Sequence, residues 1–418
     1  MASMLLPTTA RASTAFSGLL RIVRRVGLAA MTAAALCSLA APAGAQAQKS
    51  PDTFQSIAPH AILIDADTDT VLFEKNPDQL MYPASLNKLM TTAVVLNEIK
   101  EGRLNLDTEF TVSENAWRRG GAPSRSSSMY VALHSKVKVR DLIQGVIIQS
   151  GNDACIVLAE GIAGTESAFA EMMNKRAREI GLVKSNFTNS TGLHDPDLKV
   201  TARELAKLAQ HLIQTYPEFY KIYGEREFTW NKIRQQNRNP LLTMNVGADG
   251  LKTGFTNEAG YGLVGSAVQN GLRLIVVVNG LKSQKDRAEE GRKLLEWGFK
   301  AFESRPLFAD GETIGDAKLY GGATGRVPLT AGKAIKLLVP KNAAEKIIAR
   351  IVYTGPVAAP VEKGQAIGKL KISRGENVVL EVPLQAAESV PRGNMAQRAF
   401  DAASELMVSL FRAGVERL

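Results

Sequence analysis

Ser85 and Lys88 stand three positions apart in "YPASLNKLMTT", residues 82–92. On a helical path this spacing puts both side chains on one face, one turn apart. A serine hydroxyl is a weak nucleophile until a neighbouring base takes its proton. A lysine amine becomes that base when desolvation or nearby cations lower its pKa and leave it neutral. Pro83 and Ala84 set Ser85 in the first helical turn, where unpaired N–H groups favour developing negative charge. Alone, the pair is a weak signal and reads first as a solvated helix face, but two later motifs change its meaning. "QSGNDA" supplies Ser150 and Asn152, and "GLKTGF" supplies Lys252, Thr253 and Gly254. Hydroxyl, amide and a second amine are then available around one activated serine.

These groups need a frame to hold them together. Helical patterns cover 84–100, 140–148, 153–163, 166–181 and 201–214. Ser-Gly-Asn falls between two of them, as a loop pointing into a cleft does. "AILIDADTDTVLFEKN" reads as a hairpin with a polar turn, and Asn270-Gly271 joins "GYGLVGSAV" to "LRLIVVVNG" as a second one. Lys-Thr-Gly is expected at the start of a strand, with Gly254 allowing a substrate backbone close to the strand edge. "RAEEGRKLLEWGFKAF" closes this part as an amphipathic helix. The expectation is an α+β domain, an antiparallel sheet built from both ends of the segment with a helical cluster inserted between. Short β-prone runs after Arg305, among them "AIKLLVP", "IIARIVYTG" and "AIGKLKISR", predict a small all-β domain without catalytic residues of its own.

The two ends carry a different kind of information. Arg21, Arg24 and Arg25 precede an apolar run from Val26 to Ala41, followed by small residues. This predicts a secretory signal peptide over 1–45, with cleavage after Ala45 or, second, after Ala47. The run is about 16 residues, short against the roughly 20 needed to span a bilayer. Removing four arginines leaves 47 basic and 41 acidic residues, a net +6 instead of +10. No basic run interleaved with aromatics points to nucleic acid. Cys155 then remains as a lone cysteine, read as a small core residue. At the other end, Phe400, Ala403, Met407, Leu410, Phe411, Gly414 and Leu418 share one helical face within 393–418. Such a helix docks on its own protein or lies in a membrane interface; the pattern alone does not choose.

Ser-x-x-Lys, Ser-x-Asn and Lys-Thr-Gly, in this order, form the triplet of class A β-lactamases and penicillin-binding proteins. From Ser56 to the C-terminus the chain resembles the low-molecular-mass penicillin-binding proteins that are D-alanyl-D-alanine carboxypeptidases. "YPASLNKLMT", "IIQSGNDACIVLAEGIAG", "NSTGLHDPD", "DGLKTGF" and "RKLLEWGF" carry the likeness, as do the β-rich tail and terminal helix. The resemblance implies a penicillin-binding fold over 46–304, a β-domain over 305–392 and a membrane-anchoring helix over 393–418. It implies export to the periplasmic face of the cytoplasmic membrane, with peptidoglycan stem peptides as substrate and β-lactams as covalent inhibitors. By the same resemblance, Ser85 is the nucleophile, Lys88 its base, and Ser150 the relay to the leaving D-alanine. Asn152 bonds the substrate amide, Lys252 supplies positive potential and Thr253 bonds the terminal carboxylate. The N–H groups of Ser85 and Phe255 form the oxyanion hole, and Arg238 and Arg287 stand where family arginines stand. Several family members have histidine where this chain has Phe255, which leaves deacylation and pocket polarity open.

Other signals lead elsewhere and are weaker. Gly260, Gly262 and Gly265 match a dinucleotide-binding pattern, but strand and hairpin follow where a helix is required. His60, His134, His194 and His211 lack metal-ligand spacing, so no metal or cofactor is called for. A β-lactamase is the nearest competing function. The class A kind needs a Glu-x-x-Leu-Asn loop, and "NFTNSTGLHDPDLK" has no glutamate. A wall-binding or β-lactam-sensing module that acylates without turnover is the third reading.

Overall fold

From Leu274 to Val278 every side chain is buried, and the two parities of the strand face different cores. Such a run belongs to the middle of a sheet covered on both sides. The computed structural model describes residues 54–341, 347–374 and 377–415. The expected signal peptide, with Ala45 and Ala47, lies outside the described residues.

Strands β1 (His60–Asp65) and β2 (Val71–Lys75) form the first hairpin. A 3-10 turn, Ala84–Asn87, leads into α1 (Lys88–Lys100). The inserted region holds β3 (Glu109–Thr111), α2 (Glu114–Gly120), β4 (Lys136–Lys138), α3 (Val139–Gln144) and α4 (Asn152–Ala163). It continues with α5 (Glu166–Ile180), α6 (Ala202–Thr215), α7 (Pro217–Tyr220) and the hairpin β5 (Glu227–Trp230)–β6 (Ile233–Gln236). Then come β7 (Ala248–Thr256), β8 (Gly260–Gln269), β9 (Leu272–Leu281) and α8 (Gln284–Ala301).

The main sheet has the order β2-β1-β9-β8-β7, all neighbours antiparallel. Both ends of the segment thus join in one sheet, as expected, and β7 is left as an edge. Lys-Thr-Gly lies inside β7 and not at its start. Leu263, Leu274 and Val276 pack with Leu294 and Leu295 of α8 on one face. Ile62, Ile64, Val264, Ile275 and Val277 meet the helical cluster on the other. Cys155 is fully buried in that cluster.

The second part is built of β10 (Phe302–Phe308), β11 (Thr313–Tyr320), β12 (Arg326–Thr330), β13 (Ile335–Pro340), β14 (Ile347–Tyr353), β15 (Val357–Ala358), β16 (Ala366–Arg374) and β17 (Asn377–Ala386). Six strands run in the order β14-β16-β17-β12-β11-β15, and β10 pairs with β13. Helix α9 (Met395–Val415) follows. Its first turns touch the β-part, where Asp401 accepts from the Gly321 N–H at 2.8 Å. Phe400 and Met407 are exposed. The side chains of Leu410, Phe411 and Gly414, and Leu418 altogether, lie outside the described residues. Among the described residues no helix is long and apolar enough to cross a membrane.

Candidate active site

Ser85 sits in the 3-10 turn, one step before α1 begins at Lys88. The turn is entered through Ala84 at φ 48°, a left-handed conformation uncommon for a residue with a Cβ. Two glycines press against it. At Gly192, φ is +80° and a Cβ would stand 1.9 Å from the Ala84 carbonyl oxygen. At Gly254 a Cβ would lie 3.0–3.1 Å from the Pro83 carbonyl and the Ser85 and Leu86 nitrogens. Gly254 therefore packs tightly against the Ser85 turn at the sheet edge, a contact different from the substrate approach expected of it.

The Lys88 amine lies 3.1 Å from Ser85 Oγ, 2.7 Å from Asn152 Oδ1 and 2.5 Å from the Thr191 carbonyl. The last two oxygens only accept, so they take two N–H bonds. In the neutral amine the remaining lone pair then faces the serine hydroxyl. Burial pushes the Lys88 pKa below its usual value; the nearby Arg238 charge lowers it further, while Cys155 and Asp153 oppose. The desolvation on which the expectation of a lysine base depends is thus present at Lys88.

Ser150 ends a π-helical turn, Gly145–Gln149, and is itself left-handed at φ 65°. Such turns break a helix where a side chain must be re-aimed. Its Oγ is buried and has no hydrogen-bond partner among the described residues. Asn152, opening α4, bridges the site: its Oδ1 accepts from Lys88 and its Nδ2 donates to Ser126 Oγ at 2.9 Å. Asp153 ties down the same loop through Ser128 Oγ and the Met129 and Val131 N–H groups.

Lys252 and Thr253 are buried on β7. The Lys252 pKa falls well below its ordinary value through burial, then through the charges of Lys88, Arg238 and Arg287. Among the described residues its amine reaches only the Thr253 carbonyl, at 3.4 Å. Arg238 is exposed at the cleft mouth and donates to Ser127 Oγ at 2.6 Å. Arg287, on α8, is buried over the Tyr261 ring at 5.7 Å, and Tyr261 stacks on Phe255 at 4.1 Å.

A cleft of about 360 Å³ joins these elements. Ser85, Asn152, Arg238 and Phe255 line it, whereas Lys88, Ser150, Lys252, Thr253, Gly254 and Arg287 stand outside the lining. Residue types alone missed Ser126, Ser127 and Thr191, which also line it. The "SRSSS" run marks the first two, but a main-chain carbonyl such as that of Thr191 leaves no side-chain signature. His194 packs on Tyr82 at 4.9 Å and lies 3.9 Å from Glu258, beside the site.

Residues 45–283 match the family described as D-alanyl-D-alanine carboxypeptidase, and 302–392 match the C-terminal domain of penicillin-binding protein 5. The chain is 39% identical over 391 residues to D-alanyl-D-alanine carboxypeptidase DacC of Escherichia coli, covering 93% of this chain and 96% of that one. It is 40% identical over 345 residues to DacA of Haemophilus influenzae, covering 81% and 87%. The crystal structure of penicillin binding protein 5 from Haemophilus influenzae superposes with a TM-score of 0.76 at 40% identity, over 82% of this chain and 100% of that one. Likeness of this extent, running through both the sheet that carries Lys-Thr-Gly and the β-rich tail, makes the chain a member of the D-alanyl-D-alanine carboxypeptidase family.

Proposed function

We propose that the protein is a serine-type D-Ala-D-Ala carboxypeptidase that trims peptidoglycan stem pentapeptides and is acylated by β-lactams. The observation that carries this reading is the Lys88 amine, desolvated, satisfied by two acceptors and 3.1 Å from Ser85 Oγ. The Ser85 proton passes to neutral Lys88 as Oγ bonds the carbonyl carbon of the penultimate D-alanine. The N–H groups of Ser85 and Phe255 hold the resulting oxyanion. The C–N bond then breaks, Ser150 handing its hydroxyl proton to the departing D-alanine nitrogen and taking in its place the proton that Lys88 received, so that Lys88 is neutral again. Water attacks the ester, loses its proton to the same amine network and releases Ser85 as a hydroxyl. Asn152 orients the substrate amide, and Thr253, Arg238 and Arg287 hold the terminal carboxylate. Lys252 supplies positive potential beside that carboxylate, because an anion next to a buried amine favours the charged form.

A β-lactamase reading requires a carboxylate or other strong deacylating base in the cleft. No aspartate or glutamate lines it, which favours a long-lived penicilloyl ester. We further propose that the protein is exported and peripheral at the periplasmic membrane face, held by α9. The exposed Phe400 and Met407 support that anchor.

The test is D-alanine release from a peptide ending in D-Ala-D-Ala, with labelled penicillin mapped by mass spectrometry. Release by the wild type, label on Ser85, and at least a thousandfold loss of release in Ser85→Ala are expected. Release that survives the substitution overturns the assignment.

A further inference from the structure

A second cavity of about 640 Å³ lies beside the catalytic cleft, and Phe255 lines both. Strand β7 gives the direction from one to the other. Thr253 is followed by Phe255 and Thr256 at the cleft, then by Asn257 and Glu258 at the second cavity. A peptide with its terminal carboxylate at Thr253 and its reacting carbonyl at Ser85 runs along this edge, its remaining residues heading for the second cavity.

We propose that this cavity binds the acyl side of the substrate, upstream of the cleaved bond, and selects stems that bear a free carboxylate there. The proposal rests on the carboxypeptidase reading above and adds a specificity site to it. Leu80 and the rings of Tyr82 and Phe255 offer apolar surface for the stem's aliphatic atoms, Leu80 and Phe255 being exposed. Lys199 and Lys282 supply charge, and neither has an ion pair among the described residues. The Lys199 ammonium is held 3.2 Å from the centroid of the Tyr82 ring, a cation–π contact that fixes its position before any ligand arrives. Glu258 is the single acid of this lining, and His194 Nδ1 lies 3.9 Å from its carboxylate. An apolar surface with two unpaired cations suits a peptide carrying carboxylate, and disfavours a cationic one.

The test compares two substrates on the full-length protein. One is an acetylated tripeptide ending in D-Ala-D-Ala and neutral apart from its terminal carboxylate; the other carries an N-acetylated, γ-linked glutamate with a free α-carboxylate in place of the acetyl group. In Lys199→Ala/Lys282→Ala the ratio of kcat/KM, acidic over neutral, is expected to fall about tenfold, as loss of a charge-assisted contact does. Lys199→Arg/Lys282→Arg is expected to restore it, which a mere packing role for the lysines does not require. A ratio within twofold of wild type, with release from the neutral peptide intact, overturns the cavity's role alone. Failure of the wild type to release D-alanine from either peptide overturns the carboxypeptidase reading and this inference with it.

Discussion

On the open face of the β-part, Lys369 and Lys371 share the carboxylate of Glu381 at 2.6 and 3.0 Å. In the catalytic part, Lys88, Lys252 and Arg287 are buried, and none of them has an ion pair among the described residues. The exposed cluster is neutralised where water would have screened it anyway, so it adds little to stability. The buried one is left unneutralised where each charge is costly, and its pKa values are lowered as a result. The difference teaches where the molecule accepts instability: around the hydroxyl that loses a proton in the proposed mechanism, and next to the proposed place of the substrate carboxylate.

Breaking the buried cluster has the largest effect. Lys88→Arg replaces a tunable amine with a guanidinium that stays protonated. A fall in kcat/KM of about 10²–10⁴-fold is expected from D-alanine release kinetics. In the proposed mechanism Lys88 acts when neutral, so kcat/KM is expected to drop as pH falls through its lowered pKa. Stability follows the same direction: between the folded pKa of Lys88 and 10.5 the unfolded chain binds more protons, so stability rises with pH. Gly254→Ala tests the geometry that holds the cluster against Ser85. Its Cβ would push on the Pro83–Leu86 turn, and an acylation rate about a hundredfold lower is expected from stopped-flow binding of a fluorescent penicillin.

His211 extends the contrast to a site without chemistry. Burial, then the charges of Arg176 and Lys100, push its pKa down to about 4. The unfolded chain gains the proton near pH 6.5, so stability is full above that value and declines towards pH 4. Urea titrations are expected to show a loss of about 1–3 kcal/mol over this interval, flattened in His211→Gln. The smallest effect belongs to the exposed pair: Glu381→Gln should leave the urea midpoint unchanged within error.

Much of this was legible in the residues. The three motifs, the long helices and the β8–β9 hairpin follow from spacing and periodicity, because each repeats a local physical requirement. The short pairs β3–β4 and β5–β6 did not announce themselves, since three or four residues show no clear alternation and owe their form to tertiary contacts. The left-handed Ala84 and the Thr191 carbonyl were equally silent. Both are main-chain features, set by Gly192 and the loop around it. Gly254 was visible, but its neighbour across space was not.

Strand β1 precedes the nucleophile, yet its central partner β9 is reached only about 200 residues later. During synthesis the chain therefore carries Ser85 and Lys88 long before the edge strand that seats their turn has anything to pair with. On the proposed mechanism, reactivity is withheld by connectivity: the hydroxyl stays an ordinary alcohol until the last strand of the sheet arrives and closes the circuit.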